Sequence, residues 1–284
     1  IDFPSASRKG VVVMNTPDVN TISAAEHTVA LMLTLSRNIH LGHSGLEKGE
    51  WNRHHLVGTE LRNKTLGIVG LGKIGREVMD RCRSFGMNII GYDPFVNQDM
   101  FREDEIKIVE LDTLTETADF ITLHVPLNEH TRDLFNYDRL CRMKSSARII
   151  NVARGGIINE VDLATAVREQ KIGGAAIDVF TSEPIDGDHP LVGIPKIVLS
   201  PHLGASTKEA KEGVSSAICE QVRDCLLHDK LTNALNMPIS DLAKLKEIQH
   251  FLDLAEMLGQ IQFQIARGPI SHISIECYGT ADEI

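Results

Sequence analysis

Six consecutive residues, Gly70-Leu71-Gly72-Lys73-Ile74-Gly75, spell G-x-G-x-x-G. Alone the pattern is weak. Here it follows an apolar run, Leu66 to Val69, and precedes a helix-like stretch from Arg76 to Phe85. In that setting Gly70 permits a tight turn, Gly72 lets backbone approach a pyrophosphate, and Gly75 lets helix and sheet pack closely. The free amides and positive partial charge of a helix N-terminus suit phosphate. The next apolar run ends at Asp93. An acid there binds both ribose hydroxyls of NAD and repels the 2′-phosphate of NADP.

More polar residues follow other apolar runs. His124 follows Phe120 to Leu123, and Arg154 follows Ile149 to Val152. Asp178 lies near the end of Ala175 to Val179, with Glu183 in the loop beyond, and His202 follows Ile197 to Leu199. Ligands of open α/β sheets bind beyond the carboxyl ends of the strands. Arg154, Glu183 and His202 are therefore expected to converge on one cleft. That trio suits hydride transfer at a 2-hydroxy acid. The hydroxyl must lose a proton as its carbon loses hydride, and histidine is a natural base near neutral pH. A carboxylate on the other ring nitrogen fixes the tautomer, and an arginine fork holds the substrate carboxylate. Singly, each of these residues reads as well as a surface or capping group; their joint placement carries the functional reading.

Competing motifs fail. Gly67 to Lys73 also spells G-x-x-x-x-G-K, but the position that needs Ser or Thr is Ile74. His40, His43, His54 and His55 lack a Cys or carboxylate at ligand spacing, so no metal is expected. Asn63-Lys64-Thr65 is read as a chance match to a glycosylation acceptor.

The elements that must position these groups read as an α/β fold, a doubly wound parallel sheet of Rossmann type. Seven short apolar runs alternate with helix-like stretches between Thr65 and Leu199. Before them, Ser23-Ala24-Ala25-Glu26 reads as a capping box opening a helix to about Arg37, placed in the core or at a subunit interface. After them, Ser206 to about His228 reads as a long helix. Past Pro238 come a further helical stretch from about Ser240 and an alternating strand, Ile270 to Cys277. The expected organisation from these elements is a dinucleotide domain (17–200), followed from 237 to 284 by the start of a further, α+β domain, since one helix and one strand cannot bury a core alone.

The 284 residues carry a formal net charge of −10, which argues against non-specific binding to nucleic acid or anionic membrane. No apolar run approaches the ~18 residues of a transmembrane helix, and no signal-peptide pattern is read. The five cysteines, Cys82, Cys141, Cys219, Cys225 and Cys277, are odd in number and include no C-x-x-C. A reducing, cytoplasmic location is expected.

Together these stretches resemble the D-isomer-specific 2-hydroxyacid dehydrogenases. The likeness is carried by Met14 to Pro17, Ser23 to Glu26, Gly70 to Gly75, Gly91 to Pro94, Asn151 to Gly156, Ala176 to Phe180 and Pro201 to Ala210. The resemblance implies catalytic roles for Arg154, Glu183 and His202, with His202 exchanging the proton. It implies NAD contacts from Lys73, Ile74, Asp93, Val125, Val152, Ala153, Arg154 and Asp178, and from His202, Leu203, Gly204 and Ala205. It also implies a homodimer or homotetramer in which Arg53 reaches the partner's substrate phosphate. The resemblance implies that 1–16 is a remnant of a substrate-binding domain and 201–236 its return segment, and the tail from Met237 resembles the opening of the intervening domain in longer members. Those members oxidise 3-phospho-D-glycerate to 3-phosphohydroxypyruvate, the first step of the phosphorylated route to L-serine. Two alternatives stay open: a reductase of glyoxylate or hydroxypyruvate, and a non-catalytic NAD(H)-sensing binding protein on the same fold.

Family members begin with a βα lobe whose glycine-rich loop binds the substrate carboxylate, and Ile1-Asp2 aligns just after it. The chain therefore reads as an internal fragment with a nearly complete NAD site and half a substrate cleft, expected to bind NAD(H) but turn over poorly by itself.

Overall fold

The computed structural model describes residues 1–17, 19–102, 105–228, 230–237 and 242–265. The chain forms two compact units, one of Ile1–Pro17 with Glu212–Ile284 and one of Asp18–Lys211.

The larger unit is built on a seven-stranded, all-parallel sheet: β1 (Thr65–Val69), β2 (Asn88–Tyr92), β3 (Lys107–Ile108), β4 (Phe120–Leu123), β5 (Arg148–Asn151), β6 (Gly174–Ile177) and β7 (Ile197–Leu199). Their order is β3-β2-β1-β4-β5-β6-β7. The chain winds outward one way from β1, then returns to add β4 on its other side. That reversal leaves a crevice at the carboxyl ends of β1 and β4. The pairing is in register, with Leu66 against Ile89 on one side of β1 and against Phe120 on the other.

Both faces of the sheet are covered, which is why the strands read as continuous apolar runs. One face buries Val69, Ile121, Leu123 and Ile149 against α5 (Leu111–Thr117), α6 (Tyr137–Arg142) and α7 (Glu160–Arg168). The other buries Leu66, Ile68, Ile150 and Val198 against α2 (Thr21–Arg37) and α4 (Lys73–Ser84). Each such side chain, fully removed from water, contributes roughly 1.5–3 kcal/mol.

Two helix starts differ from the sequence reading. Helix α2 opens at Thr21 after Asn20, so Ser23 is an interior residue and not a cap. Its side chain is buried and bonded elsewhere, so the apparent capping box is coincidental. Helix α4 opens at Lys73, with Gly72 as its N-cap, not at Arg76. The glycine loop itself is the cap, so Lys73 to Gly75 already belong to the first turn. The second half of α2 buries Val29, Leu31, Met32 and Leu35, in line with the core reading, and ends at Asn38 in a left-handed conformation. A short helix not read from the sequence, α3 (Ile39–Glu47), follows.

In the smaller unit, α1 (Phe3–Arg8) is capped by Asp2, whose carboxylate accepts from Ser5 N at 3.0 Å. Residues 13–15 pair with 233–236: Met14 bridges Ala234, and Asn236 Oδ1 accepts from Val13 N at 2.8 Å. Helix α8 (Lys208–His228) contributes Gln221, which donates to Asn15 O. The helix expected from about Ser240 is α9 (Leu242–Ile265). The strand expected at 270–277 lies outside the described residues.

Candidate active site

The glycine loop leaves β1 and turns at Gly70, whose φ of 95° is open to glycine and costly to other residues. Helix α4 then crosses so close that a Cβ at Gly75 would lie 2.1 Å from Gly70 O. Gly72 differs: a Cβ there would meet nothing within 4 Å. The space it leaves lies at the first amides of α4, where a pyrophosphate fits. Two side chains outside the motif brace the loop. Asp93 Oδ2 accepts from Leu71 N at 2.9 Å, and Arg76 Nε donates to Leu71 O at 2.9 Å. Asp93 Oδ1 accepts from Phe95 N.

Beside this loop is a cleft of about 260 Å³. From the residues expected at the site it brings together Ile74, Val125, Val152, Ala153, Arg154, His202, Gly204 and Ala205. Its remaining walls are Asn20, Ala24 and Thr28 of the α2 region, with His124 and Pro126 beyond β4. Lys73, Asp93, Asp178, Glu183 and Leu203 sit around it without lining it. Arg53 lies apart, in a short 3-10 turn beside Trp51, lining a separate depression of about 520 Å³.

His202 and Glu183 form a pair, Nδ1 to Oε2 at 2.7 Å. Glu183 Oε1 accepts from Phe180 N at 2.9 Å. The His202 bond is the largest influence and holds the Glu183 carboxyl below its ordinary pKa; desolvation, next in size, pushes it up, and the Phe180 amide adds to the lowering. An ionised Glu183 places the ring proton on Nδ1 and leaves Nε2 as the acceptor. His202 has φ 53°, a left-handed conformation that costs about 1–2 kcal/mol outside glycine. Its own N–H donates to Asp178 O at 2.8 Å, which holds it there.

Arg154 is exposed, with Nη1 donating to Ala153 O. The turn beneath it is braced by buried Asn151, which accepts from Ala153 N and donates to Arg154 O. Asp178 is fully enclosed. Its carboxylate accepts from His27 Nε2 at 3.1 Å, from Ser200 Oγ, and from the backbone amides of Leu203 and Gly204 at 2.8 and 2.9 Å. Burial pushes its pKa up, and these donors outweigh it, so the net displacement is downward. In this structure Asp178 organises the loop after His202.

His124 has a distinct environment. Its Nε2 is enclosed and has no hydrogen-bond partner among the described residues. Burial lowers its pKa to about 4, so the ring is neutral at pH 7. Sequence reasoning placed His124 at a strand end without a role, and missed His27, Ser200 and Asn151. Asn151 stands next to a residue of interest, but only its burial marks it as a brace.

Residues 29–204 match the model of the D-isomer specific 2-hydroxyacid dehydrogenase NAD binding domain. The D-3-phosphoglycerate dehydrogenase of Synechocystis is 43% identical over 100% of this chain and 51% of its own length. That of Methanocaldococcus jannaschii is 42% identical over 97% and 52%. The chain thus spans about half the length of these curated relatives. Among solved structures, a glyoxylate reductase from Paecilomyes thermophila has a TM-score of 0.76 and 31% identity, covering 83% of this chain and 71% of that one. An NAD-dependent formate dehydrogenase from Staphylococcus aureus, in complex with NAD, has a TM-score of 0.75 and 33% identity over 82% and 70%. The family model covers more than half of the chain, over the same sheet, glycine loop and strand-end cleft: the chain belongs to the D-isomer specific 2-hydroxyacid dehydrogenases and carries their NAD-binding domain.

Proposed function

We propose that the protein oxidises 3-phospho-D-glycerate to 3-phosphohydroxypyruvate with NAD, opening the phosphorylated route to L-serine. The observation that carries the chemistry is the His202–Glu183 pair at the mouth of a cleft that Arg154 also lines. The choice of substrate rests on the likeness to D-3-phosphoglycerate dehydrogenases across the whole chain.

The residues fit a dinucleotide: the Gly72 opening at the start of α4 suits the pyrophosphate, Asp93 at the end of β2 suits the ribose, and the cleft beyond β4 suits the nicotinamide end. Lys73, Ile74, Val125, Val152, Ala153, Asp178, Leu203, Gly204 and Ala205 complete the proposed cofactor contacts. The cofactor's contribution, when bound, is to accept the hydride leaving C2. His202 Nε2 takes the proton of the C2 hydroxyl as that carbon becomes a carbonyl. Glu183 holds the tautomer that makes this possible and stabilises the imidazolium formed. Arg154 holds the substrate carboxylate by charge-assisted hydrogen bonds.

The proposed organisation is that read from the sequence, a dinucleotide domain over 17–200 between substrate-domain segments 1–16 and 201–236, with a third domain opening at 237. The protein acts as a homodimer or homotetramer in the cytoplasm, with Arg53 directed at a partner's substrate phosphate. The glyoxylate reductase likeness supports a second reading, a general 2-keto acid reductase. The two are separated by kcat/KM for 3-phosphohydroxypyruvate against unphosphorylated hydroxypyruvate, followed by NADH absorbance on the product of the complete open reading frame. A strong preference for the phosphorylated acid is expected; no preference supports the second reading.

A further inference from the structure

Helix α2 touches the His202 loop at two points one helical turn apart. Buried Ser and Thr in a helix usually return their hydroxyl to the carbonyl four residues back. Thr28 and Ser36 do so, onto Ala24 O and Met32 O. Ser23 does not: its Oγ donates to Gly204 O at 2.7 Å. Four residues on, His27 Nε2 stands 3.1 Å from Asp178 Oδ1 and 3.2 Å from Ser200 Oγ. Asp178 in turn holds the amides of Leu203 and Gly204 through its carboxylate, and that of His202 through its backbone carbonyl. The carbonyl and the amide of Gly204 are thus both held, one directly by α2 and one through a buried carboxylate that α2 supplies with a donor.

We propose that Ser23 and His27 are positioning residues for His202: together they latch the loop of residues 200–204 onto α2 and so aim the imidazole. The proposal rests on the hydride-transfer reading above. Neither residue lines the cleft, whereas their neighbours Ala24 and Thr28 do, so the same helix is both a wall of the site and the anchor of its base. A donor to a buried carboxylate is among the stronger protein hydrogen bonds, and its loss leaves an under-satisfied charge. The consequence of removing it is built into the geometry: residues 203 and 204 lose their fixed acceptor, and His202 loses the over-determination that keeps it at positive φ.

The test uses the complete open reading frame and three variants. His27→Leu removes the donor, His27→Gln keeps an N–H of similar reach, and Ser23→Ala removes one oxygen. Backbone amide exchange of the segment 200–207 is read alongside kcat and KM with NADH and 3-phosphohydroxypyruvate. His27→Leu and Ser23→Ala are expected to speed exchange in that segment and lower kcat, His27→Leu by about tenfold or more in each, with both KM values changed less than about threefold. His27→Gln is expected to restore both readouts to near the wild-type values. Unchanged exchange or unchanged kcat in His27→Leu, or a His27→Gln as impaired as His27→Leu, overturns the proposal. Should His27→Leu fail to fold, Ser23→Ala carries the same readouts. A wild-type protein without turnover on any 2-keto acid removes the functional reading alone, because exchange still decides whether α2 latches the loop.

Discussion

His202 Nδ1 and Glu183 Oε2 are 2.7 Å apart, and that contact determines which ring nitrogen is left for chemistry. The carboxylate is held ionised by the imidazole and by the Phe180 amide. Because the Glu183 pKa is depressed on folding, its stabilisation is present above the ordinary carboxylate range and lost as pH falls through the lowered value. The pair is therefore intact throughout the neutral range.

Replacing His202 by Asn is expected to lower kcat by about 10²–10⁴-fold, the span of general acid–base assistance. Glu183→Gln leaves the ring free to adopt either tautomer and is expected to cost about 10²-fold. NADH affinity, measured by fluorescence titration, should change little in Glu183→Gln, since Glu183 does not line the cleft.

Two alanines separate fold from ligand in the glycine loop. Gly75→Ala drives a methyl into Gly70 O and is expected to cost about 3 kcal/mol in urea unfolding. Gly72→Ala has open space around the new methyl and is expected to cost under about 1 kcal/mol, the loss of a good N-cap residue. Its NADH affinity should nevertheless fall about tenfold or more, because the methyl occupies the pyrophosphate's approach.

Asp93 serves two purposes, holding the Leu71 amide and presenting an acid where β2 ends. Asp93→Ser is expected to raise the NADPH-to-NADH ratio of kcat/KM about tenfold or more by removing the repulsion of a 2′-phosphate. The lost brace on the loop should cost about 1–2 kcal/mol of stability.

His124 makes the fold acid-sensitive. Its pKa is about 4 when folded, lowered by burial, against 6.5 for a solvated imidazole. Between those values the unfolded chain binds a proton that the native state does not, so stability rises with pH through that window. The expected loss on going from pH 7.5 to pH 4 is of the order of 3 kcal/mol from this residue. Urea midpoints measured across that range should show a shallower pH dependence for His124→Phe than for the wild type.

The sheet was legible because both of its faces are buried. Thr65 to Val69 and Phe120 to Leu123 could be read as strands from apolar content alone, and the glycine motif marked which strand came first. The trio Arg154, Glu183 and His202 was legible because strand ends in this architecture share one edge. What local pattern could not reveal were the partnerships of α2 with the loop after β7. Ser23-x-x-Glu26 satisfies a capping rule, yet Ser23 bonds to a carbonyl 181 residues away. His27 meets Asp178 across 151 residues. Both sit on the buried side of a helix whose apolar periodicity says only that this face is covered, not by what. The start of α4 was misplaced by three residues because a glycine loop that caps its own helix looks, in sequence, like loop throughout.

Following the transferred atom tests the proposed hydride transfer most directly. The product of the complete open reading frame would be given 3-phosphohydroxypyruvate and NADH carrying two deuteriums at C4, and the phosphoglycerate isolated. One deuterium at C2 and the D configuration throughout are expected. Phosphoglycerate of L configuration, or D product without deuterium at C2, would contradict it.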